Sequence, residues 1–239
     1  MAAQTTFERY EIKYLLTAEQ KQAVLQAMAQ FMKLDKYGRA TIRNIYYDTK
    51  NFRLIRHSLE KPAYKEKLRV RSYQQVTAEQ QVFVELKKKY KSVVYKRRLS
   101  LPEYQVSNAF FNNTPLPVCS QIGNEIQYFR SYYKSLVPMV FLSYEREAFY
   151  SLDGSDFRVT FDENILYRQQ ELSLCSDVYG TPILEDGYTL MEIKTSGGIP
   201  LWMTKILTEQ GIYKTSFSKY GTAYQHMMMK QKKGEKKYA

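Results

Sequence analysis

Apolar and polar residues alternate with a period of two through much of the chain, the pattern of strands with one face buried. It is clearest in Lys67-Leu68-Arg69-Val70-Arg71-Ser72-Tyr73, which puts Lys67, Arg69, Arg71 and Tyr73 on one face and Leu68 and Val70 on the other. Residues 7–16 predict a first strand, with Arg9, Glu11 and Lys13 opposite Tyr10, Ile12 and Tyr14. Thr17-Ala18-Glu19-Gln20 is a capping box, and the helix it opens carries an apolar stripe through Val24, Leu25, Met28 and Phe31-Met32. A second strand over 42–48 and a short helix over 51–59 follow. Residues 64–73 and 81–90 form a long hairpin, its second arm alternating Val82, Val84 and Leu86 with Phe83, Glu85 and Lys87. In 92–99 the run Tyr95-Lys96-Arg97-Arg98 allows either parity, and the one carrying Lys96 and Arg98 is favoured.

Helical spacing returns over 102–111 and 119–136, interrupted at Pro115 and Pro117. Strands resume with 139–150, where Tyr144, Arg146 and Ala148 share a parity. The turn Asp153-Gly154 leads into 156–162, where Arg158, Thr160 and Asp162 oppose Phe157, Val159 and Phe161. Residues 167–185 read as a loop or an irregular pair of short strands. In 188–195, Leu190, Glu192 and Lys194 oppose Met191 and Ile193. Helices begin at Pro200 and near Lys219. About eight strands joined mostly as hairpins predict an α+β fold: a closed antiparallel eight-stranded barrel with helices packed outside. One domain is expected over 1–229, followed by a basic, flexible tail over 230–239.

If the apolar parities face the helices, the charged parities line the barrel interior. Buried unpaired ions cost several kcal/mol each, so some eight cations facing a few carboxylates require water and a multivalent anion. The strand pattern also allows these faces to be the exposed side of an open sheet. Three repeats of Glu-x-Lys, at Glu11/Lys13, Glu85/Lys87 and Glu192/Lys194, favour the interior arrangement.

The 36 Lys and Arg against 24 Asp and Glu, a net +12, add an expectation of a polyanionic partner without choosing one. Cations ordered by strand parity, not spread over a patch with interleaved aromatics, argue against nucleic acid. Cys119 and Cys175 show neither Cys-x-x-Cys nor nearby His spacing, so neither a disulfide framework nor zinc is expected. With no signal-like leader and no apolar run near the ~20 residues of a membrane span, a soluble cytoplasmic protein is expected. His57 and His226 stand alone, and Ser196-Gly197-Gly198 lacks the Lys of a phosphate-binding P-loop.

Eight fragments in order carry a resemblance that covers nearly the whole chain. They are Arg9-Tyr-Glu11-Ile-Lys13-Tyr14, Tyr46-Tyr-Asp48, Leu68-Arg69-Val-Arg71, Phe83-Val-Glu85-Leu-Lys87, Tyr144-Glu-Arg146-Glu-Ala-Phe149, Arg158-Val-Thr-Phe-Asp162, Met191-Glu192-Ile-Lys194 and Phe217-Ser218-Lys219-Tyr220. The sequence resembles the catalytic domain of the vacuolar transporter chaperone (VTC) polyphosphate polymerases, a branch of the CYTH-like triphosphate tunnel metalloenzymes. That resemblance implies a tunnel barrel that transfers the γ-phosphate of ATP to a growing polyphosphate chain with a divalent metal, Mn2+ or Mg2+. Lys13, Arg69, Arg71, Lys87, Arg146, Arg158 and Lys219 would line the tunnel and act on the phosphates. Lys96, Tyr144, Lys194, Ser218, Glu11 and Glu85 would support substrate binding, and Glu192 would ligate the metal. ATP and polyphosphate or triphosphate are the implied ligands, and a membrane-protein partner for the product stays open. Hydrolases of the wider superfamily begin with Glu-x-Glu-x-Lys. Here Arg9 takes the first position, which favours holding a polyanion over activating water. A triphosphatase and a non-catalytic polyphosphate- or nucleotide-binding module are the alternatives.

Overall fold

The computed structural model describes residues 10–91 and 93–235, with side chains as far as 230. Arg9 and the last residues of the basic tail lie outside the described residues. In chain order the elements are β1 (Tyr10–Leu16), α1 (Ala18–Met28), β2 (Met32–Thr49), α2 (Arg53–Leu59), β3 (Tyr64–Ser72), β4 (Gln81–Tyr90), β5 (Val93–Pro102), α3 (Glu103–Phe111), α4 (Gln121–Tyr133), β6 (Leu136–Ser151), β7 (Arg158–Arg168), β8 (Thr181–Pro182), β9 (Thr189–Thr195), α5 (Leu201–Glu209), β10 (Lys214–Thr215) and α6 (Lys219–Glu235). The fold is α+β on a large antiparallel sheet. Among the described residues its order is β10-β1-β9-β7-β6-β2-β3-β4-β5, with β8 on β7.

The expected capping box forms: Thr17 Oγ1 accepts from Gln20 N and the Gln20 side chain accepts from Thr17 N. The helix stops at Met28, however, and Phe31 and Met32 are not on it. Phe31 stacks on Trp202 with ring centroids 4.7 Å apart, and Met32 opens β2 as a buried residue. β2 therefore begins ten residues before the strand expected at 42–48. Most of residues 33–41 are exposed or half-buried, so no apolar alternation marks them as strand. At the far end α6 continues past Lys230 to Glu235.

The chain divides into two compact units. One comprises Met1–Thr41, Tyr144–Ile165 and Leu184–Phe217, the other Ile42–Ser143, Leu166–Ile183 and Ser218–Ala239. In the first, Tyr14, Val159, Phe161, Met191 and Ile193 pack with Val24 and Met28 of α1 and Met203 and Leu207 of α5. In the second, Leu68, Val70, Val82, Val84 and Leu86 pack with Val106 and Ala109 of α3 and Ile126 and Phe129 of α4. Leu68 and Leu86 are fully buried, and each such side chain contributes about 1.5–3 kcal/mol. The apolar parity of the strands thus faces helices in both units. The charged parity is left to the opposite face.

Asp48, at the end of β2, ties three elements of the second unit together. Its Oδ1 accepts from the amides of Thr49 and Leu54, and its Oδ2 from Ile55 N and Tyr220 Oη, at 2.8–3.0 Å. Leu54 and Ile55 lie in the first turn of α2, whose amides lack intrahelical acceptors. Tyr220 in turn stacks on Tyr46 at 4.7 Å.

Candidate functional site

Antiparallel register decides which charges meet. In the second unit, Arg69 lies opposite Glu85 across β3–β4, and Glu85 lies opposite Arg98 across β4–β5. Lys87 pairs in the same way with Lys67 and Lys96. The favoured parity of β5 is the one observed. Glu85 is 1% exposed. Its Oε2 accepts from Arg69 Nε at 2.8 Å and Nη2 at 2.7 Å. Oε1 accepts from Arg98 Nε at 2.8 Å and Lys96 Nζ at 2.7 Å, and Arg71 Nη1 stands 4.0 Å from Oε2. Burial by itself would raise the Glu85 carboxyl, but the charges of Arg69, Arg71 and Lys96 outweigh it and hold the group well below the ordinary carboxylate range. Lys96 is pulled down to about 8, chiefly by desolvation, against the attraction of Glu85.

The guanidinium groups are oriented by neutral partners. Arg71 Nε donates to Asn44 Oδ1 at 2.8 Å, and Asn44 Nδ2 donates to Leu142 O at 3.0 Å. Arg69 Nη1 donates to Tyr46 Oη at 3.1 Å and Arg98 Nη2 to Tyr73 Oη at 2.7 Å. Lys67 Nζ donates to Ser218 Oγ at 3.1 Å, which also accepts from Gly221 N at 3.1 Å and so caps α6. The hydroxyl thus accepts two hydrogen bonds. Lys219 is the first residue of α6 and half-buried.

The first unit has a different balance. Register aligns Glu11, Lys194 and Arg158 in one row across β1, β9 and β7, and Lys13, Glu192 and Thr160 in the next. Lys194 Nζ lies 2.8 Å from Glu192 Oε1 and Lys13 Nζ 3.9 Å from Oε2. Lys13 also donates to Phe217 O at 2.7 Å. Arg146 holds the fully buried Asp162 with two bonds of 2.6 and 2.7 Å, and its guanidinium lies 5.1 Å from the Tyr144 ring centroid. Desolvation opposes its charge, but Asp162, Tyr144 and Glu192 prevail and raise its pKa. Arg158 and Glu11 are exposed. Four cations (Lys13, Lys194, Arg146, Arg158) here face three carboxylates (Glu11, Glu192, Asp162), whereas in the second unit one carboxylate serves Arg69, Arg71, Lys96 and Arg98.

Arg98, Asn44, Tyr46, Tyr73 and Asp162 are absent from the expected site set. Arg98 and Asp162 carry a legible signal, since each shares the charged parity of its strand. Glu85 bonds to Arg69, Arg98 and Lys96, all on neighbouring strands. Arg69 and Arg98 reach it as directly opposed cross-strand neighbours and Lys96 as a diagonal one, whereas Glu192 pairs with Lys194 two positions along its own strand.

Among the described residues no group of three or more His, Cys, Asp or Glu side chains could cage a metal ion. Glu192 supplies a hard carboxylate oxygen, and Thr160 Oγ1 opposite it is buried without a hydrogen-bond partner. That oxygen pair fits a divalent ion whose remaining ligands come from a phosphate chain, and does not fit one held by protein alone. Among the described residues no helix is long and apolar enough to cross a membrane.

The sequence profile of the VTC domain matches residues 8–228. A search of curated proteins gives no match. Among solved structures, a Hippeastrum protein proposed as an adenylyl cyclase, with a dominant triphosphatase activity, superposes with a TM-score of 0.56 at 17% identity, covering 89% of this chain and 93% of its own. A Bacillus halodurans protein assigned as a candidate adenylate cyclase gives 0.54 at 14% identity, covering 90% and 95%. A Vibrio parahaemolyticus protein of the same assignment gives 0.50 at 11%, covering 92% and 99%. At these identities the likeness is one of fold.

Proposed function

The chain belongs to the VTC domain family, and from that premise we propose that it is an ATP-dependent polyphosphate polymerase, transferring the γ-phosphate of ATP to the end of a polyphosphate chain. The observation that carries this reading is the Glu85 hub, where one buried carboxylate holds Arg69, Arg98 and Lys96, with Arg71 beside them. The surplus of positive charge is fixed in place before any ligand arrives. Phosphoryl transfer depends mainly on such positioning and neutralisation of phosphoryl oxygens. Arginine forks match those oxygens bidentately. The attacking terminal phosphate is itself ionised near neutral pH, so no general base is required.

Lys13, Lys87, Arg146, Arg158, Lys194, Lys219, Tyr144 and Ser218 complete the proposed phosphate contacts, with Glu11 balancing Lys194. Glu192 and Thr160 would hold Mn2+ or Mg2+, which when bound neutralises phosphate oxygens. The closed tunnel barrel belongs to this proposal as the form expected of the family. So does a membrane-protein partner that takes up the product. A second reading, a triphosphatase, is favoured by the activity named for the Hippeastrum neighbour.

Incubation with ATP and Mn2+, followed by a polyphosphate gel, separates them. Polymer is expected. Release of single phosphate alone would establish the hydrolase, and tripolyphosphate binding with no turnover under any metal would leave a binding module. Glu192→Ala should abolish metal-dependent turnover and keep tripolyphosphate binding; normal turnover would remove Glu192 as the metal ligand.

A further inference from the structure

Among the described residues, the buried side-chain atoms without a hydrogen-bond partner include Arg43 Nε, Ser72 Oγ and Ser143 Oγ, on adjacent strands of the second unit. Arg43 on β2 lies directly opposite Ser72 on β3. On the other side, β6 runs alongside β2 where Asn44 Nδ2 donates to Leu142 O. Each of the three stands two positions from a residue of the helix-facing core, namely Ile45, Val70 and Phe141, so strand periodicity puts them on that face together. Their chain neighbours Asn44 and Arg71 take the opposite parity, that of the Glu85 hub. Arg43 is 8% exposed, Ser72 1% and Ser143 0%.

A second buried guanidinium joins them. Arg168 lies over the Phe141 ring at 3.6 Å and donates to Gln170 O, Glu171 O and Tyr179 O at 3.0–3.3 Å. Burial lowers the pKa of Arg43 against the attraction of Asp177, and the charge of Arg168 lowers it further. The carboxylates acting on Arg168 already hold other donors: Glu171 accepts from Tyr179 Oη at 2.7 Å and Asp177 from Gln75 Nε2 at 3.3 Å. We propose that Arg43, Ser72 and Ser143, beside the charge of Arg168, form a site for inorganic phosphate on the helix-facing side of the sheet. Buried donors left bare and buried charge left unbalanced both cost stability. Water satisfies the two hydroxyls but leaves the guanidinium charge unbalanced. Phosphate accepts from a guanidinium and two hydroxyls at once and supplies the missing negative charge. Enclosure of the three donors favours the smallest phosphate over a nucleotide or a polymer. The site stands apart from the cationic face and does not depend on the polymerase reading.

The test titrates inorganic phosphate by calorimetry, in buffer free of phosphate and sulfate, into the wild type, Arg43→Met, Ser72→Ala/Ser143→Ala and Arg71→Gln. Arg43→Met should lower phosphate affinity about tenfold or more, and the double alanine variant about fivefold or more. Arg71→Gln, which alters the opposite face, should keep it within about twofold. Without phosphate Arg43→Met should melt no lower than the wild type, because it removes an unbalanced buried charge at similar side-chain length. With phosphate only the wild type should gain in melting temperature. Should Arg43→Met fail to fold, the double alanine variant decides alone. A wild type that takes up no phosphate, or serine and arginine variants that bind it as the wild type does, would overturn the site and leave the hydroxyls to buried water. Loss of phosphate in Arg71→Gln but not in Arg43→Met would place the ion on the cationic face and equally overturn the inference. Polymer synthesis from ATP is scored by its own gel, so the two readings fail separately.

Discussion

Glu85→Gln keeps the shape of a side chain and removes one negative charge from among four cations. Arg69, Arg98 and Lys96 contact the carboxylate at 2.7–2.8 Å. Unit charges 4 Å apart attract by roughly 4 kcal/mol at an effective dielectric constant of ~20, so the gross attraction is large. Most of it offsets the cost of burying the carboxylate, and removing one partner of such a buried network costs about 3–5 kcal/mol net. Lys96 and Arg98 reach solvent, with side chains 42% and 34% exposed, which places the expected loss near ~3 kcal/mol. At ~2–4 °C per kcal/mol for a chain of this size, the melting temperature should fall by about 6–12 °C.

Calorimetry with and without tripolyphosphate completes the assay. Ligand at 100 times Kd adds about 2.7 kcal/mol to any protein that binds only when folded. At equal free ligand concentration the variant should gain more than the wild type, because phosphate supplies the negative charge that the substitution takes away and is therefore bound more tightly. A variant that melts with the wild type, or that gains no more from tripolyphosphate, refutes the charge-balance argument. The acid side provides a check of sign. A carboxyl whose folded pKa is depressed contributes stability above its unfolded pKa and loses it as the pH falls toward the folded value. The wild type should therefore lose its advantage over the variant below the ordinary carboxylate range.

Arg71→Gln should weaken tripolyphosphate binding about tenfold or more and Lys67→Gln only about two- to threefold, since Arg71 is 5% exposed and oriented by Asn44; titration calorimetry showing equal losses would count against Arg71 as the principal clamp. Because Lys96 titrates near 8 in the free protein, tripolyphosphate binding at pH 8.5 should take up protons and weaken as the pH rises. Lys96→Arg should flatten that dependence, and calorimetry in buffers of different ionisation enthalpy measures both effects. Asp48→Ala leaves two first-turn amides of α2 and the Tyr220 hydroxyl without their acceptor and should destabilise the protein by about 2–4 kcal/mol. A chemical melt unchanged by the substitution would show that these bonds are replaceable.

The strand parities were legible because they are local. Alternation in Lys67-Leu68-Arg69-Val70-Arg71 separates charge from core whatever the partner strand, and Leu68 and Val70 do pack with helices. The capping box at Thr17 is local in the same sense, needing only residues three apart. The end of α1 was not legible, because Phe31 and Met32 continue a helical spacing in sequence and find partners elsewhere, Phe31 on Trp202. The early start of β2 was hidden because residues exposed on both faces leave no periodic mark. The Glu192–Lys194 pair lies within a Glu-x-Lys repeat, but the pairings of Glu85 were beyond reach of the sequence for a further reason. Glu85 stands two positions from Lys87 in the chain, yet its ion pairs are with residues that register brings across from β3 and β5. Arg146 likewise finds Asp162 on another strand. The amino-acid order thus determined which side chains share a face. Which cation meets Glu85 or Asp162, and so where positive charge is left in surplus, was decided by strand register and burial in the tertiary structure.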